Sequence, residues 1–175
     1  MRIPIESSTS YRGRNSGPNL PALATFLLLA LGAGALGWLF SPAFSASAAH
    51  WYAALVKPDW LPPQKWFAPV WTAVYLLMAI GAWIIWRERY HRGRAAAITA
   101  YGIQLVLNAL WAPVFFGWKN IDAGLFGIVA LWLAVGWTMR EFARVAPAAA
   151  VILVPYFLWV TFAAAVNLAV WRLNP

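Results

Sequence analysis

The sequence predicts an all-α membrane protein, a bundle of five transmembrane helices with a long ordered first loop. Three observations predict it. Hydrophobic residues fill 63% of the 175 positions and charged residues only 10%, with a mean hydropathy of +0.65, outside the range of soluble globular chains. Five stretches contain no Asp, Glu, Lys, Arg or His, and each is roughly long enough to cross about 30 Å of hydrocarbon at about 1.5 Å per residue. The basic residues lie in the N-terminal tail and in the segments flanking these stretches, so the net charge of +8 reads as a topology signal and not as a nucleic-acid footprint.

Taken in order, residues 1–19 form a polar tail of Ser, Arg, Gly and Pro with little apolar surface to bury, which predicts disorder. The first span covers 20–40. Its arginine-rich approach and the small residues Ala46-Ser47-Ala48 resemble a signal peptide, but the apolar core exceeds the roughly 7 to 15 residues of such a signal, favouring a retained helix. Residues 41–65 form the first loop. The remaining spans cover 66–86, 95–118, 123–139 and 146–171; the fourth is short and needs part of its flanks. All are apolar on every face, unlike the alternating segments of about ten residues in a membrane barrel. Short connections after the second, third and fourth spans make sequential helices antiparallel neighbours, so 20–175 reads as one membrane domain.

An odd number of spans puts the two termini on opposite sides. One side carries Arg2, Arg12, Arg14, Arg87, Arg89, Arg92, Arg94, Arg140 and Arg144; the other carries Lys57, Lys65, Lys119 and Arg172. The expectation is a multi-pass protein of a bacterial membrane, with its N-terminus in the cytoplasm if that membrane is the inner one. Cysteine is absent, which excludes disulfides, thiolate catalysis and thiolate metal sites.

The first loop is far longer than the usual two to eight residues between bundle helices, and its composition argues for order. Residues 48–56 fit one or two helical turns with Trp51, Tyr52 and Leu55 on one side, and Pro58, Pro62 and Pro63 hold an extended path. From Trp60 to Tyr75, three prolines and three tryptophans fall within sixteen residues. This pattern describes a rigid aromatic lid over one end of the bundle, or an aromatic anchor at headgroup level.

Polar side chains inside a span are costly without partners, so they are the first functional candidates. Gln104, Asn108 and Trp111 fall at i, i+4 and i+7, which places two amides and an indole on one face over roughly 10 Å. Trp159, Ala163 and Asn167 form a similar stripe on the fifth span, and Trp71 and Tyr75 sit one turn apart on the second. Amides bonding across helices would hold the bundle together; a ligand pocket is the other reading. Trp71, Trp111 and Trp159 lie away from the ends of their spans, which an interfacial belt does not explain, whereas Trp66, Trp86, Trp118 and Trp171 fit that belt. Pro113 and Pro155 interrupt the hydrogen-bond ladders of their helices.

Several chemistries are disfavoured by inventory. His50 and His91 lie in connections, which argues against a haem held by two histidines in the bilayer. No carboxylate falls within a span, which removes proton relays and metal-carboxylate sites, so no metal is expected. Neither a phosphate-binding glycine loop nor a nucleophile with an evident base is present.

At these residues the chain resembles the family of tryptophan-rich sensory proteins and translocator proteins, the TspO/MBR or peripheral-type benzodiazepine receptor family. The matching segments are Trp51-Tyr52, Lys57-Pro58, Trp60-Leu61-Pro62-Pro63, Pro69-Val70-Trp71-Thr72 with Tyr75, Gln104, Leu107-Asn108, Trp111, Pro113, Phe115-Phe116-Gly117, Pro155-Tyr156, Trp159, Phe162-Ala163 and Asn167. The resemblance implies a five-helix bundle, commonly a homodimer, with a pocket beneath the first loop for protoporphyrin IX or a haem-related tetrapyrrole. No cofactor is required. Carried over by position, the ligand site comprises Trp60, Pro62, Trp71, Tyr75, Gln104, Asn108, Trp111, Trp159 and Ala163. A sterol is the less favoured ligand, because Leu168 and Ala169 stand where animal members carry a tyrosine before Arg172.

The leading expectation is therefore tetrapyrrole binding for sensing, transport or sequestration, with the lipid bilayer as surroundings and no nucleic-acid partner. Two alternatives stand beside it. One is an enzyme degrading porphyrin with light or an oxidant, with Trp71 and Trp159 as its redox residues; the other is a structural membrane protein without a ligand.

Overall fold

The computed structural model describes residues 19–175; the polar tail, apart from Asn19, lies outside the described residues. Five helical segments are long and apolar enough to cross a membrane. The first is α1 (Leu20–Phe40), followed after a turn by a short helix, α2 (Ala46–Ala54), inside the first loop. Ser45 caps α2 by accepting a hydrogen bond from the Ala48 N–H at 3.3 Å, the usual role of serine at a helix start. After the prolines, a single 3-10 turn (Gln64–Trp66) leads into α3 (Phe67–Arg87), and a tight turn leads into α4 (Arg94–Ala112).

The helix breakers act differently at their two positions. At Pro113 the α4 helix passes into a π-helical turn (Pro113–Gly117), closed by a hydrogen bond from the Trp118 N–H to the Pro113 carbonyl at 3.0 Å. At Pro155 the predicted fifth span divides into α6 (Pro147–Ile152) and α7 (Val154–Leu173), because a proline one residue inside α7 has no N–H to continue the ladder. Between these breaks runs α5 (Ile121–Val145), with Asn120 accepting from the Ala123 N–H at 2.8 Å as its cap. The expected fourth span, 123–139, is thus extended at both ends. Two acidic residues fall inside the helix as a result, a correction to the carboxylate-free reading: Asp122 in its first turn, and Glu141 near its end, paired with Arg144 at 2.9 Å and Arg140 at 3.2 Å.

Packing follows the chain order for the first and second, third and fourth, and fourth and fifth spans. α3 and α4, although joined by a tight turn, meet only sparsely, and α1 packs on α4 instead, a correction to the expectation that all sequential helices are close neighbours. α1 lies against α3 and α4, and α5 lies against α4 and α7. α3 meets α6 closely but touches α7 only sparsely, so past the break at Leu153 the last helix leans toward α5 and away from α3. The closely packed core occupies the end near α6, around Met78, Ile85, Phe142 and Leu153. At the opposite end the C-terminal halves of α1, α4 and α7 and the N-terminal halves of α3 and α5 spread around the first loop. Trp66, Trp118 and Trp171 are exposed at that end, consistent with the headgroup belt.

Candidate functional site: an aromatic cavity beneath the first loop

The loop-covered end of the bundle encloses a cavity of about 680 Å³, within the usual range of small-molecule pockets. Its roof is the loop. Trp51 packs edge-on against Phe115 at 5.3 Å and Tyr52 against Phe116 at 5.5 Å, which seats α2 on the π-helical turn. Burial raises the Tyr52 hydroxyl pKa above its ordinary value. The far side of the roof is tied to α7: the Asn174 side chain accepts from the Val56 N–H and donates to the Val56 carbonyl, both at 2.9 Å. The loop is a lid held on two sides by contacts distant in sequence.

The walls come mainly from four of the long helices, with α5 contributing only Leu131. α1 contributes Gly34 and Trp38, α3 contributes Phe67, Trp71 and Tyr75, α4 with its π-helical turn contributes Asn108, Trp111 and Phe115, and α7 contributes Trp159, Ala163 and Asn167. Gly34 has a steric reason, since a Cβ there would fall 2.6 Å from Cε2 of Tyr75; the tyrosine ring lies directly against the α1 backbone. Trp111 stacks on Phe115 at 5.2 Å and donates its indole N–H to the Gly124 carbonyl at 3.0 Å. Trp159 meets Phe162 at 5.3 Å, Phe67 at 5.6 Å and Trp71 at 6.3 Å.

The floor is a chain of hydrogen bonds joining three helices. Tyr75 donates to Asn108 Oδ1 at 2.6 Å, Asn108 Nδ2 donates to the Tyr156 hydroxyl at 2.9 Å, and that hydroxyl donates to Gln104 Oε1 at 2.9 Å. Every member is buried and satisfied, as a polar network in an apolar surround requires. The wall differs. The Trp159 indole N–H and the Asn167 Oδ1 are buried with no hydrogen-bond partner among the described residues, although Asn167 Nδ2 donates to the Ala163 carbonyl at 2.8 Å.

One formal charge lines the cavity among the described residues, that of Lys57. Its ammonium donates to the carbonyls of Leu55 at 2.8 Å and Ala53 at 3.4 Å and lies 4.8 Å from the Tyr52 ring centre. No carboxylate pairs with it among the described residues. The arrangement therefore offers flat aromatic faces and a cation at the roof, and two of the wall residues, Trp159 and Asn167, each keep a buried polar atom without a partner among the described residues. No cluster of residues able to hold a metal ion is found among the described residues.

Of the sequence-predicted site residues, Pro62, Trp71, Tyr75, Asn108, Trp111, Trp159 and Ala163 share this cavity. Gln104 and Trp60 do not line it. Gln104 lies a turn deeper, at the end of the floor's hydrogen-bond chain away from the cavity, with only 1% of its surface exposed and its amide directed at Tyr156 and the Met78 sulfur. Trp60 lies outside the roof, 53% exposed, with its ring edge-on to Phe162 at 5.9 Å. Lys57, Gly34 and Asn167 line the cavity without having been predicted to, and Tyr156 is the unpredicted member of its floor network. Lys57 and Tyr156 each stand beside a proline of a motif already quoted, and Asn167 lies one turn beyond Ala163 on the same stripe. Gly34 carries no such signal.

Fold and site together define a multi-pass membrane protein with a lidded aromatic cavity at one end. A sequence model of the TspO/MBR family matches residues 25–172. The chain is 39% identical over 164 residues to the translocator protein of Sus scrofa, covering 90% of this chain and 92% of that one. It is 36% identical over 158 residues to protein CrtK of Rhodobacter capsulatus, covering 90% and 95%. It is 38% identical over 154 residues to the tryptophan-rich protein TspO of Chlorobaculum tepidum, covering 87% and 96%. The chain belongs to the TspO/MBR family.

Proposed function

We propose that the protein binds a flat, amphipathic tetrapyrrole, of which protoporphyrin IX is the test case, in the cavity beneath its first loop, for sensing, transport or sequestration. The observation that carries this reading is the pairing of aromatic walls with unsatisfied polar groups. A buried donor or acceptor left without a partner costs about 1–3 kcal/mol, and a ligand with polar groups at its rim offsets that cost at Trp159 and Asn167 while its faces lie against the rings of Trp71, Trp111 and Trp159. The Lys57 ammonium suits an acidic substituent at the roof. The names of the relatives, a translocator protein and a tryptophan-rich sensory protein, accord with a ligand that is carried or sensed.

The experiment is a titration of protoporphyrin IX into purified protein in the dark, followed by tryptophan quenching, beside an Asn108→Leu, Trp159→Ala double variant. Saturable quenching lost in the variant, with helicity and oligomeric state preserved, is the expected result. Equal, non-saturating quenching in both proteins means partition into the detergent micelle and refutes the assignment. A second reading rests on one distance, the 6.3 Å between the rings of Trp71 and Trp159 in the same cavity: the two side chains supply electrons to an illuminated porphyrin. Chromatography of the extracted pigment after illumination distinguishes the two, since simple binding returns unchanged porphyrin.

A further inference from the structure

The lining of α3 and α7 has an outer side as well as an inner one. Where these helices diverge, a groove of about 560 Å³ opens between them, on a face where Ala73, Pro155 and Leu158 are exposed on spans read as membrane-embedded. Apart from the indoles of Trp66 and Trp159, every side chain lining it is aliphatic or proline. Trp159 belongs to both voids, lining the groove on one side and the cavity on the other. Below it, α7 begins at the break where Pro155 lacks an N–H, and the Phe157 N–H reaches back to the Leu153 carbonyl at 2.9 Å. The ladder of the helix carrying Trp159 therefore lacks one bond about one turn away. The loop, by contrast, is fastened by Asn174 on Val56, Trp51 on Phe115 and Tyr52 on Phe116.

From this juxtaposition we infer that the groove is a lateral portal: a flat, amphipathic, membrane-partitioned ligand enters the cavity from the bilayer between α3 and α7, through the place where the Trp159 side chain stands, and not from beneath the loop. This rests on the reading of the cavity as a ligand site. A ligand with large apolar faces partitions into the bilayer, and a groove lined by aliphatic side chains and two indoles receives those faces without leaving polar groups of the protein unpaired. Trp159 then serves twice, as wall of the occupied cavity and as the door to it.

A portal changes rates and not the equilibrium, because an obstacle in the only path slows entry and exit alike. Ala73 lines the groove and not the cavity, so Ala73→Phe plugs the path, and Leu158→Ala, also confined to the groove, widens it. The test is stopped-flow tryptophan quenching by protoporphyrin IX in the dark, with each protein in lipid nanodiscs and helicity checked by circular dichroism. Ala73→Phe is expected to slow association and dissociation about tenfold each with Kd unchanged, and Leu158→Ala to speed both. Unaltered rates in both variants, or a change in Kd without matching changes in both rates, overturns the portal. Acceleration of both rates by Asn174→Ala, with the groove variants silent, assigns entry to the loop and overturns it too. Absence of saturable binding in the parent protein is a different result, which removes the ligand reading and the portal with it.

Discussion

Replacing Tyr156 by phenylalanine removes one oxygen atom and two hydrogen bonds. The ring is fully buried and phenylalanine keeps its shape, so the change isolates the hydroxyl, which donates to Gln104 and accepts from Asn108, each at 2.9 Å. Tyr75→Phe removes a single bond, the donation to Asn108 Oδ1 at 2.6 Å. Hydrogen bonds between membrane helices average about 0.6 kcal/mol and reach about 1.7 kcal/mol. Tyr156→Phe is therefore expected to cost about 1.2 to 3.4 kcal/mol and Tyr75→Phe about half of that. The order follows from the number of bonds each hydroxyl makes, whatever the absolute scale. Reversible unfolding in mixed micelles, followed by circular dichroism, measures both. A coupled cycle sharpens the test, because in an Asn108→Leu background Tyr75→Phe has no bond left to lose and is expected to cost nothing further. A Tyr75→Phe loss equal to or above that of Tyr156→Phe, or full additivity with Asn108→Leu, refutes the network as described.

Three further outcomes follow from the same geometry. Gly34→Ala drives a methyl group into the Tyr75 ring, 2.6 Å from Cε2, and is expected to destabilise the bundle by about 1–3 kcal/mol through overpacking and to weaken porphyrin binding about tenfold or more, read by the same melt and by equilibrium quenching. Asn174→Ala removes both bonds to Val56, worth about 1 kcal/mol each, so hydrogen exchange across the lid is expected to quicken at least about tenfold while α5 is unaffected. Asn167→Leu removes an unsatisfied oxygen, so it is expected to leave the melting midpoint unchanged or raised while weakening ligand binding. A destabilisation there comparable to that of Asn108→Leu contradicts the distinction between wall and floor.

The five long helices were legible because hydrocarbon imposes one strong rule, that a spanning segment be long and free of charge. α1 has the predicted bounds, and the other spans shift by one or a few residues. The exception is α5, whose ends carry Asp122 and Glu141: a helix does not stop at the first charge when that charge finds partners, as Glu141 does in Arg140 and Arg144. Proline marked the right places but not the response, since a freed carbonyl can be absorbed by a wider turn, as after Pro113, or by a break, as before Pro155. Cavity walls were legible where an aromatic and a polar residue shared a helical face, which brought out Trp71, Tyr75, Asn108 and Trp159. Gly34 was not, because its role is to have no side chain opposite a ring 41 positions away.

Helical spacing assigns a residue to a face but says nothing of how deep on that face a cavity ends, and this is why Gln104 and Asn108 part company. Both belong to one stripe of α4 and to the floor network, yet the cavity ends between them: Asn108 has one side on the cavity, and Gln104 has none. Depth alone does not separate structure from function either, since the Tyr101 hydroxyl is also buried without a partner and lines neither the cavity nor the groove. The informative combination is an unsatisfied group on a wall of the cavity. In the floor, four side chains bond one another in sequence and hold α3, α4 and α7 in register. On α7, Trp159 and Asn167 keep a donor and an acceptor unsatisfied on the helix that the break at Leu153 leaves only sparsely packed against α3. The rigid network thus stands beneath the site, and the unsatisfied groups stand on the wall best placed to move.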